Sequence, residues 1–332
     1  MVRSQGVGRL SWGILGLGEI AHDMARDLTC SSRSRLAGVA ARDPDRARRF
    51  AARRQGVRAH ASYRALVNDD DIDVVYVASI HPLHRDLALQ ALEAGKHVLV
   101  EKPLGLNASQ ARDIAAAARG QGRFCMEAMW MRFNPLVTRV VQEVAEGRLG
   151  DLETVHADLS HSFEYDPAHR VFDPRLGGGS LLDLGVYPAH LAWLLLGAPK
   201  HVEASCVMAA SGVDAAAEMT WHYGTGRLAG LTCSLQRAAP STATVVGTKG
   251  TITLQAPMQA PASVVLDCGG RTRIWNQSPE SLGYLPEIRE VEDCVLADAL
   301  ESPRATLEDS VGVLTVLDDV RSQLTIRYPS ET

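Results

Sequence analysis

No stretch of this 332-residue chain approaches the length of a membrane span, and the apolar patch from Trp12 to Leu17 runs into Gly18-Glu19 where a secretory core would continue. Cysteine offers no scaffold either. The six cysteines (Cys30, Cys125, Cys206, Cys233, Cys268 and Cys294) stand far apart with no C-x-x-C pair, so neither a zinc site nor a disulfide framework is expected, and a reducing cytoplasm is. A basic excess is missing as well: the formal net charge is −5, which leaves nucleic acid and membrane as unexpected partners and a small molecule as the expected one. Arg46, Arg48, Arg49, Arg53 and Arg54 do cluster, but at helical spacing beside acids, as on a solvated helix face. Internal repeats and low-complexity linkers are absent. What is present is 46% apolar residues, enough for a substantial core and, at this length, for two domains.

From Trp12 to Met126 short β-branched runs alternate with amphipathic stretches of helix length. Strands are expected at 12–15, 35–41, 73–78, 97–100 and 123–126, the rhythm of a doubly wound parallel sheet with crossover helices. Asp43-Pro44 reads as an N-cap followed by a first-turn proline, Ser62 as another N-cap, and Gly95 as a helix stop. Beyond Leu152 the pattern becomes a helix near 180–196, followed by β-rich runs at 201–211, 215–223, 226–235, 241–254, 262–267 and 271–275. These form an antiparallel sheet with Gly247-Thr248-Lys249-Gly250 as a tight turn. Helices at 287–301 and 307–324 close the chain.

The densest local signal is G-x-G-x-x-A at Gly16, Gly18 and Ala21, directly after the first strand and opening a helix. Gly16 permits the tight turn, Gly18 lets the backbone approach a pyrophosphate, Ala21 allows close helix-strand packing, and the helix N-terminus supplies donors. Gly16, Leu17, Gly18, Glu19 and Ile20 are therefore expected cofactor-binding residues. At the end of the second strand, Ala41 or Arg42 fills the place where an NAD enzyme carries a carboxylate for the ribose 2′-hydroxyl, and Arg42 suits a 2′-phosphate. NADP is expected over NAD.

Lys102 stands at the end of a buried strand, Val98-Leu99-Val100-Glu101-Lys102-Pro103, an edge that faces the ligand crevice in such sheets. It is the first catalytic candidate, with Glu101 beside the cofactor. Ile80, His81 and His84 follow the preceding strand at the same edge. The histidines either line the nicotinamide pocket or belong to the next helix turn and to solvent. No third ligand of suitable spacing accompanies them, so no metal is expected. Trp130 and Arg132 follow the last strand of the parallel sheet, where they either wall the nicotinamide and bond substrate oxygens or, with Phe133, pack a core. In the second half, Asp183, Tyr187 and His190 fall at i, i+4 and i+7 of an apolar helix. Tyr187 with Lys102 reads as a proton-transfer pair. Asp183 is equally explained by a capping box from Ser180, and Pro188 interrupts the helix. Lys102, Trp130, Asp183, Tyr187 and His190 are the candidate substrate-binding residues, with Lys102, Asp183 and Tyr187 also catalytic.

Gly16-x-Gly18, Ala94-Gly95-Lys96-His97-Val98-Leu99-Val100-Glu101-Lys102-Pro103, Gly177-Gly178-Gly179 and Asp183-x-Gly185-x-Tyr187 together resemble the Gfo/Idh/MocA oxidoreductases over nearly the whole chain. Val39-Ala40-Ala41-Arg42-Asp43, His81-Pro82-x-His84 and Met126-Glu127-Ala128-x-Trp130-x-Arg132-Phe133 are closest to the dimeric dihydrodiol and NADP-dependent D-xylose dehydrogenase branch. The resemblance implies a Rossmann domain over residues 1–130 and, over 131–332, a substrate-binding α/β domain. The latter has an open, mostly antiparallel sheet, whose exposed face commonly makes an oligomer contact; a homodimer is expected. It also implies Lys102 and Tyr187 as the catalytic pair of a dehydrogenase acting on a sugar, polyol or vicinal diol. The competing expectation is a dinucleotide-sensing binding protein of the same fold without turnover.

Overall fold

The structure is a computed structural model that describes residues 9–224, 226–278 and 281–331. They fall into two compact units, the first drawn from Met1–Leu104, Gln110–Trp130 and Glu280–Leu307, the second from Gly105–Ser109, Met131–Pro279 and Glu308–Thr332. The ends of the two expected domains, residues 1–8 and 332, lie outside the described residues.

The first unit runs β1 (Leu10–Leu15), α1 (Glu19–Leu28), β2 (Ser34–Ala40), α2 (Pro44–Ala51), β3 (Arg58–Ala59), α3 (Tyr63–Val67), β4 (Val74–Val77), α4 (His84–Glu93), β5 (His97–Glu101), α5 (Ala108–Gln121) and β6 (Cys125–Ala128). Its sheet has the order β3-β2-β1-β4-β5-β6 with every pairing parallel. The order reverses between β1 and β4, which puts a ligand crevice beyond the carboxyl ends of those two strands. β1 and β4 are buried on both faces, as a parallel sheet covered by helices requires. The caps are where the sequence puts them: Asp43 accepts from the Asp45 amide at 2.9 Å, Ser62 from the Ala65 amide at 3.1 Å, and Gly95 has a φ of 77° just past α4.

The second unit begins with α6 (Pro135–Ala145) and β7 (Leu152–Ser160), followed by a π-helical turn (Leu181–Gly185) that leads into α7 (Val186–Leu196). Seven strands follow: β8 (His201–Met208), β9 (Asp214–His222), β10 (Leu228–Ser234), β11 (Ala243–Gly247), β12 (Gly250–Leu254), β13 (Ser263–Cys268) and β14 (Arg271–Asn276). They form an eight-stranded sheet in the order β14-β13-β12-β11-β7-β10-β9-β8, antiparallel except for the parallel pair β7–β10. The Gly247-to-Gly250 turn joins β11 and β12 as expected. The window Pro174–Leu196 does reach membrane-span length and apolarity, contrary to the sequence reading, but 78% of it is buried inside the protein, as a core helix is.

One feature of the division differs from the expected single boundary at 130. After β14 the chain returns to the first unit as α8 (Leu285–Leu296), before α9 (Leu307–Leu324) closes the second. The cause is polar. Buried Asp27 on α1 accepts from the amides of Leu282, Tyr284 and Leu285 at 2.9, 2.8 and 3.1 Å, satisfying donors at the start of α8 that have no helical partner. Ser31 and Arg33 add bonds to Glu292, and Arg33 pairs with Asp293 at 2.6 Å.

Candidate active site

The turn after β1 is fixed by a close approach. Gly16 has a φ of 94°, its amide donates to the Ala40 carbonyl at 3.0 Å, and a Cβ there would collide with the Ala78 carbonyl oxygen beyond β4. Leu17 and Ala21 are buried, Ile20 is half-buried and Glu19 is exposed. Gly18 precedes α1 with no side-chain cap, and a Cβ placed on it would meet nothing within 4 Å. Uncapped amides with open space above them fit the pyrophosphate of a dinucleotide. At the end of β2, Ala41 is buried and Arg42 is exposed, while Asp43 caps α2 and lies 3.5 Å from Arg49. Among the described residues, Arg42 has neither a hydrogen bond nor an ion pair.

Side chains hold the backbone of residues 102–104. The Glu101 carboxylate accepts from the Lys102 amide at 3.2 Å and from the Tyr76 hydroxyl; His84 Nδ1 lies 2.8 Å from the Pro103 carbonyl oxygen; the Glu127 carboxylate accepts from the Leu104 amide at 2.9 Å. Tyr76, His84, Glu101 and Glu127 are all buried. Burial raises the Glu101 carboxyl to about 6 against the opposing pull of the Tyr76 hydroxyl and of Lys102. Burial also keeps the His84 ring below the ordinary histidine range. Both ring nitrogens face carbonyl oxygens, Nδ1 that of Pro103 and Nε2 that of Ser79 at 3.1 Å. His84 therefore anchors the loop that carries Lys102, as the first residue of α4, and His81 beside it is buried rather than solvated. Ile80 is half-buried at the same edge. Lys96, at the other end of β5, commits its ammonium to the carbonyls of Asp69 and Ile72 at 2.7 and 2.8 Å, so the strand's two lysines have distinct roles.

Trp130 is half-buried and packs on Tyr284 with ring centroids 5.2 Å apart. Arg132 does not stand free beside it. It is a buried residue of the second unit whose guanidinium pairs with Asp309 at 2.8 Å, and Asp309 also accepts from Trp193 Nε1 at 3.0 Å.

Asp183, Tyr187 and His190 are all buried in the second unit. The regular polar stripe is interrupted, because Pro188 lacks an N–H and its ring crowds the carbonyl four residues back; the chain widens into the π turn over Leu181–Gly185. Asp183 leaves the capping role. Ser180 donates instead to Asp214 at 2.7 Å, and Asp183 receives the two terminal nitrogens of Arg170 at 3.1 and 3.4 Å. Tyr187 is the second residue of α7, 7% exposed.

Against known proteins, two family models match: the Gfo/Idh/MocA oxidoreductase family with an NAD-binding Rossmann fold over residues 10–129, and the Gfo/Idh/MocA C-terminal domain over residues 137–253. The chain belongs to the Gfo/Idh/MocA family. Among its relatives, the trans-1,2-dihydrobenzene-1,2-diol dehydrogenase of Xenopus tropicalis is 33% identical over 329 residues, 96% of this chain and 99% of its own. The enzyme of the same name from Mus musculus is 34% identical over 336 residues, 97% and 99% of the two chains. KijD10, a 3-ketoreductase from Actinomadura kijaniata solved with NADP and TDP-benzene, superposes with a TM-score of 0.84 at 29% identity, covering 95% of this chain and 98% of its own. Variants of KijD10 with a lysine changed to alanine and with a tyrosine changed to phenylalanine have also been solved. As a Gfo/Idh/MocA protein the chain is a nicotinamide-dependent oxidoreductase with a Rossmann dinucleotide site.

Two residues of this site escaped the sequence reading: Tyr76 and Glu127. Each had a signal. Tyr76 and Glu127 are polar residues inside short apolar strands, and buried polar groups need partners.

Proposed function

We propose that the protein is an NADP-linked dehydrogenase or reductase that moves a hydride at a carbinol carbon of a sugar, polyol or vicinal diol. The observation that carries it is the anchoring of Lys102: three buried side chains fix the backbone of residues 102–104 at the carboxyl edge of a dinucleotide-binding sheet. Structural roles need no such precision, whereas a catalytic cation does. When bound, the nicotinamide supplies or accepts the hydride. Gly16 to Ile20 hold the pyrophosphate, and Arg42 reads the ribose 2′-phosphate. Lys102 donates hydrogen bonds to the substrate oxygen as it gains negative charge, and Tyr187 gives or takes its proton. Glu101, His84 and Glu127 act on this step by holding Lys102. Asp183, paired with Arg170, and His190 are proposed as substrate-side residues. Trp130 stands as a wall of the cofactor site, and Arg132 is assigned to its ion pair with Asp309.

The vicinal-diol class is favoured by the dihydrodiol dehydrogenases among the relatives, and the sugar class by the ketoreductase. A turnover screen of 1,2-diols, aldoses and polyols with NADP and NAD tests both substrate and cofactor. Turnover with NADP is expected, with Arg42→Ala losing about tenfold or more in kcat/KM for NADP and little for NAD. Tight NADPH binding without turnover on any of these substrates would instead establish a sensor. An unchanged NADP constant in Arg42→Ala would refute the 2′-phosphate assignment.

A homodimer in a reducing, cytoplasmic setting is part of the proposal. The six cysteines are free thiols, which supports the setting. The half-covered and exposed positions of the sheet are mixed, with Thr154, His156, Asp158, Glu218, Thr220 and Thr232 beside Leu228, Val246, Val265 and Ile274. What supports pairing is the edge strand β8, where Val207 and Met208 are 62% and 46% exposed. Sedimentation at micromolar concentration should give twice the 35.8 kDa chain mass, and Val207→Lys should shift it toward monomer; a wild-type monomer refutes the assembly.

A further inference from the structure

Asp214, the first residue of β9, is fully buried, and among the described residues no cation pairs with it. Its Oδ2 accepts two hydrogen bonds from the entry of the π turn, from the Ser180 hydroxyl at 2.7 Å and from the Leu181 amide at 2.6 Å. Its Oδ1 lies against Gly179: that residue has a φ of 121°, and a Cβ on it would collide with Oδ1 and stand 3.3 Å from the Tyr328 hydroxyl. The turn is gripped from β10 as well. The Cys233 thiol lies 3.4 Å from the Ser180 oxygen, and a Cβ on Gly185 would come within 2.9 Å of the same sulfur. On the other side, the Gly179 amide donates to the Val171 carbonyl at 2.9 Å, next to Arg170, which holds Asp183. Arg321, with its guanidinium carbon 4.7 Å from the Tyr328 ring, is committed to the Leu106 carbonyl, Asp318 and Glu331.

A buried carboxylate without a counter-ion costs stability, and an asparagine would accept the same two bonds at less cost. What the charge adds is a shorter and roughly twofold stronger hold on its donors. Those donors need it, because neither the π turn nor α7 has a side-chain cap of its own, π geometry is poorly self-supporting, and Pro188 withholds an N–H from the helix that follows. We propose that Asp214 is a positioning residue for Tyr187: it fixes the entry of the turn that carries Asp183, and with it the setting of α7 from which Tyr187 meets the substrate oxygen. Burial raises the Asp214 carboxyl to about 6 against the pull of its two donors, so it is charged at about pH 8. The kinetic consequence rests on the proposed hydride-transfer reading, whereas the anchoring can be tested without turnover.

The test compares Asp214→Ala, Asp214→Asn and Ser180→Ala with the wild type at about pH 8, below the melting transition of each. Hydrogen exchange on peptides covering residues 178–187 needs no substrate: in Asp214→Ala the amides of the turn should exchange about tenfold faster or more, with those of β9 and β10 little changed. Unchanged exchange in the turn, or a loss shared equally by the two strands, overturns the proposal. With a substrate in hand, kcat per folded molecule of Asp214→Ala should fall about thirtyfold with KM for NADPH little changed, while asparagine, which keeps an acceptor for both donors, should stay within about threefold of wild type. A purely structural aspartate would lower the melting temperature and leave kcat of the folded molecules alone. In a Tyr187→Phe background there is no phenol left to place, so Asp214→Ala should cost less than about threefold in the single-turnover rate. An equal loss in both backgrounds overturns the assignment. Should Asp214→Ala fail to fold, Ser180→Ala decides, since it removes one of the two donors: faster exchange in the turn and a fall in kcat of about threefold to tenfold support the proposal, and wild-type values of both overturn it. Faster exchange in the turn of these variants, with no turnover by the wild type on any substrate, would keep Asp214 as the anchor of the turn and reject the enzyme.

Discussion

Lys102→Met and Tyr187→Phe should each lower kcat by about two to four powers of ten while NADPH affinity changes far less, and the double variant should be little worse than the worse single one. Residues that act on one proton transfer are not additive: once the tyrosine cannot exchange the proton, the lysine has less developing charge to stabilise. Lys102→Met keeps the length and burial of the side-chain stem, and the backbone bonds from Glu101, His84 and Glu127 do not depend on the ammonium. Its loss can therefore be assigned to the missing charge rather than to a displaced loop. Single-turnover and steady-state rates with NADPH fluorescence titrations separate chemistry from binding. Multiplicative losses in the double variant would indicate independent roles. Near-normal turnover in Tyr187→Phe would move the acid-base role to His190, since both ring nitrogens of His84 already face backbone carbonyls.

The parts of this site that were legible in the sequence are those governed by rules acting over a few residues. The turn at Gly16 and the caps at Asp43 and Ser62 are local, and each follows from the conformation or hydrogen bond that one residue type supplies. Lys102 was legible because a charged step at the end of an apolar strand has few structural explanations. β7 shows the opposite case. Its alternation of Thr154, His156 and Asp158 with Val155, Ala157 and Leu159 is visible, but its central place in the second sheet comes from pairing parallel to β10, some seventy residues on, which no local pattern encodes. Glu127 and Tyr76 became functional only when three parallel strands aligned their ends. The return of α8 to the first unit rests on Asp27 meeting amides 255 residues further along the chain. A capping aspartate in the last turn of one helix gives no sign of which other helix it caps.

That same aspartate carries the largest expected effect on stability. Asp27 is 1% exposed, and its two oxygens accept from Leu282, Tyr284 and Leu285 at the start of α8. Asp27→Ala should destabilise the protein by about 3–5 kcal/mol, because three buried donors lose their acceptor together and the helix N-terminus loses the negative charge that offsets its dipole. Asp27→Asn keeps one acceptor oxygen in nearly the same place and should lose clearly less. The consequence extends to the cofactor site through contacts within the first unit. The amides that Asp27 holds belong to the segment that presents Tyr284 to Trp130, 5.2 Å between ring centroids. Loosening that segment should weaken NADPH binding and expose Trp130, which urea unfolding followed by far-UV circular dichroism and tryptophan fluorescence would register as a lower midpoint and a red-shifted native signal. If Asp27→Ala unfolds within about 1 kcal/mol of wild type, the donors at the start of α8 have found water or other acceptors, and the docking of α8 rests instead on Ser31 and Arg33 with Glu292 and Asp293. Arg33→Ala would then become the more damaging change, although its guanidinium is 40% exposed and its ion pairs alone are expected to contribute little.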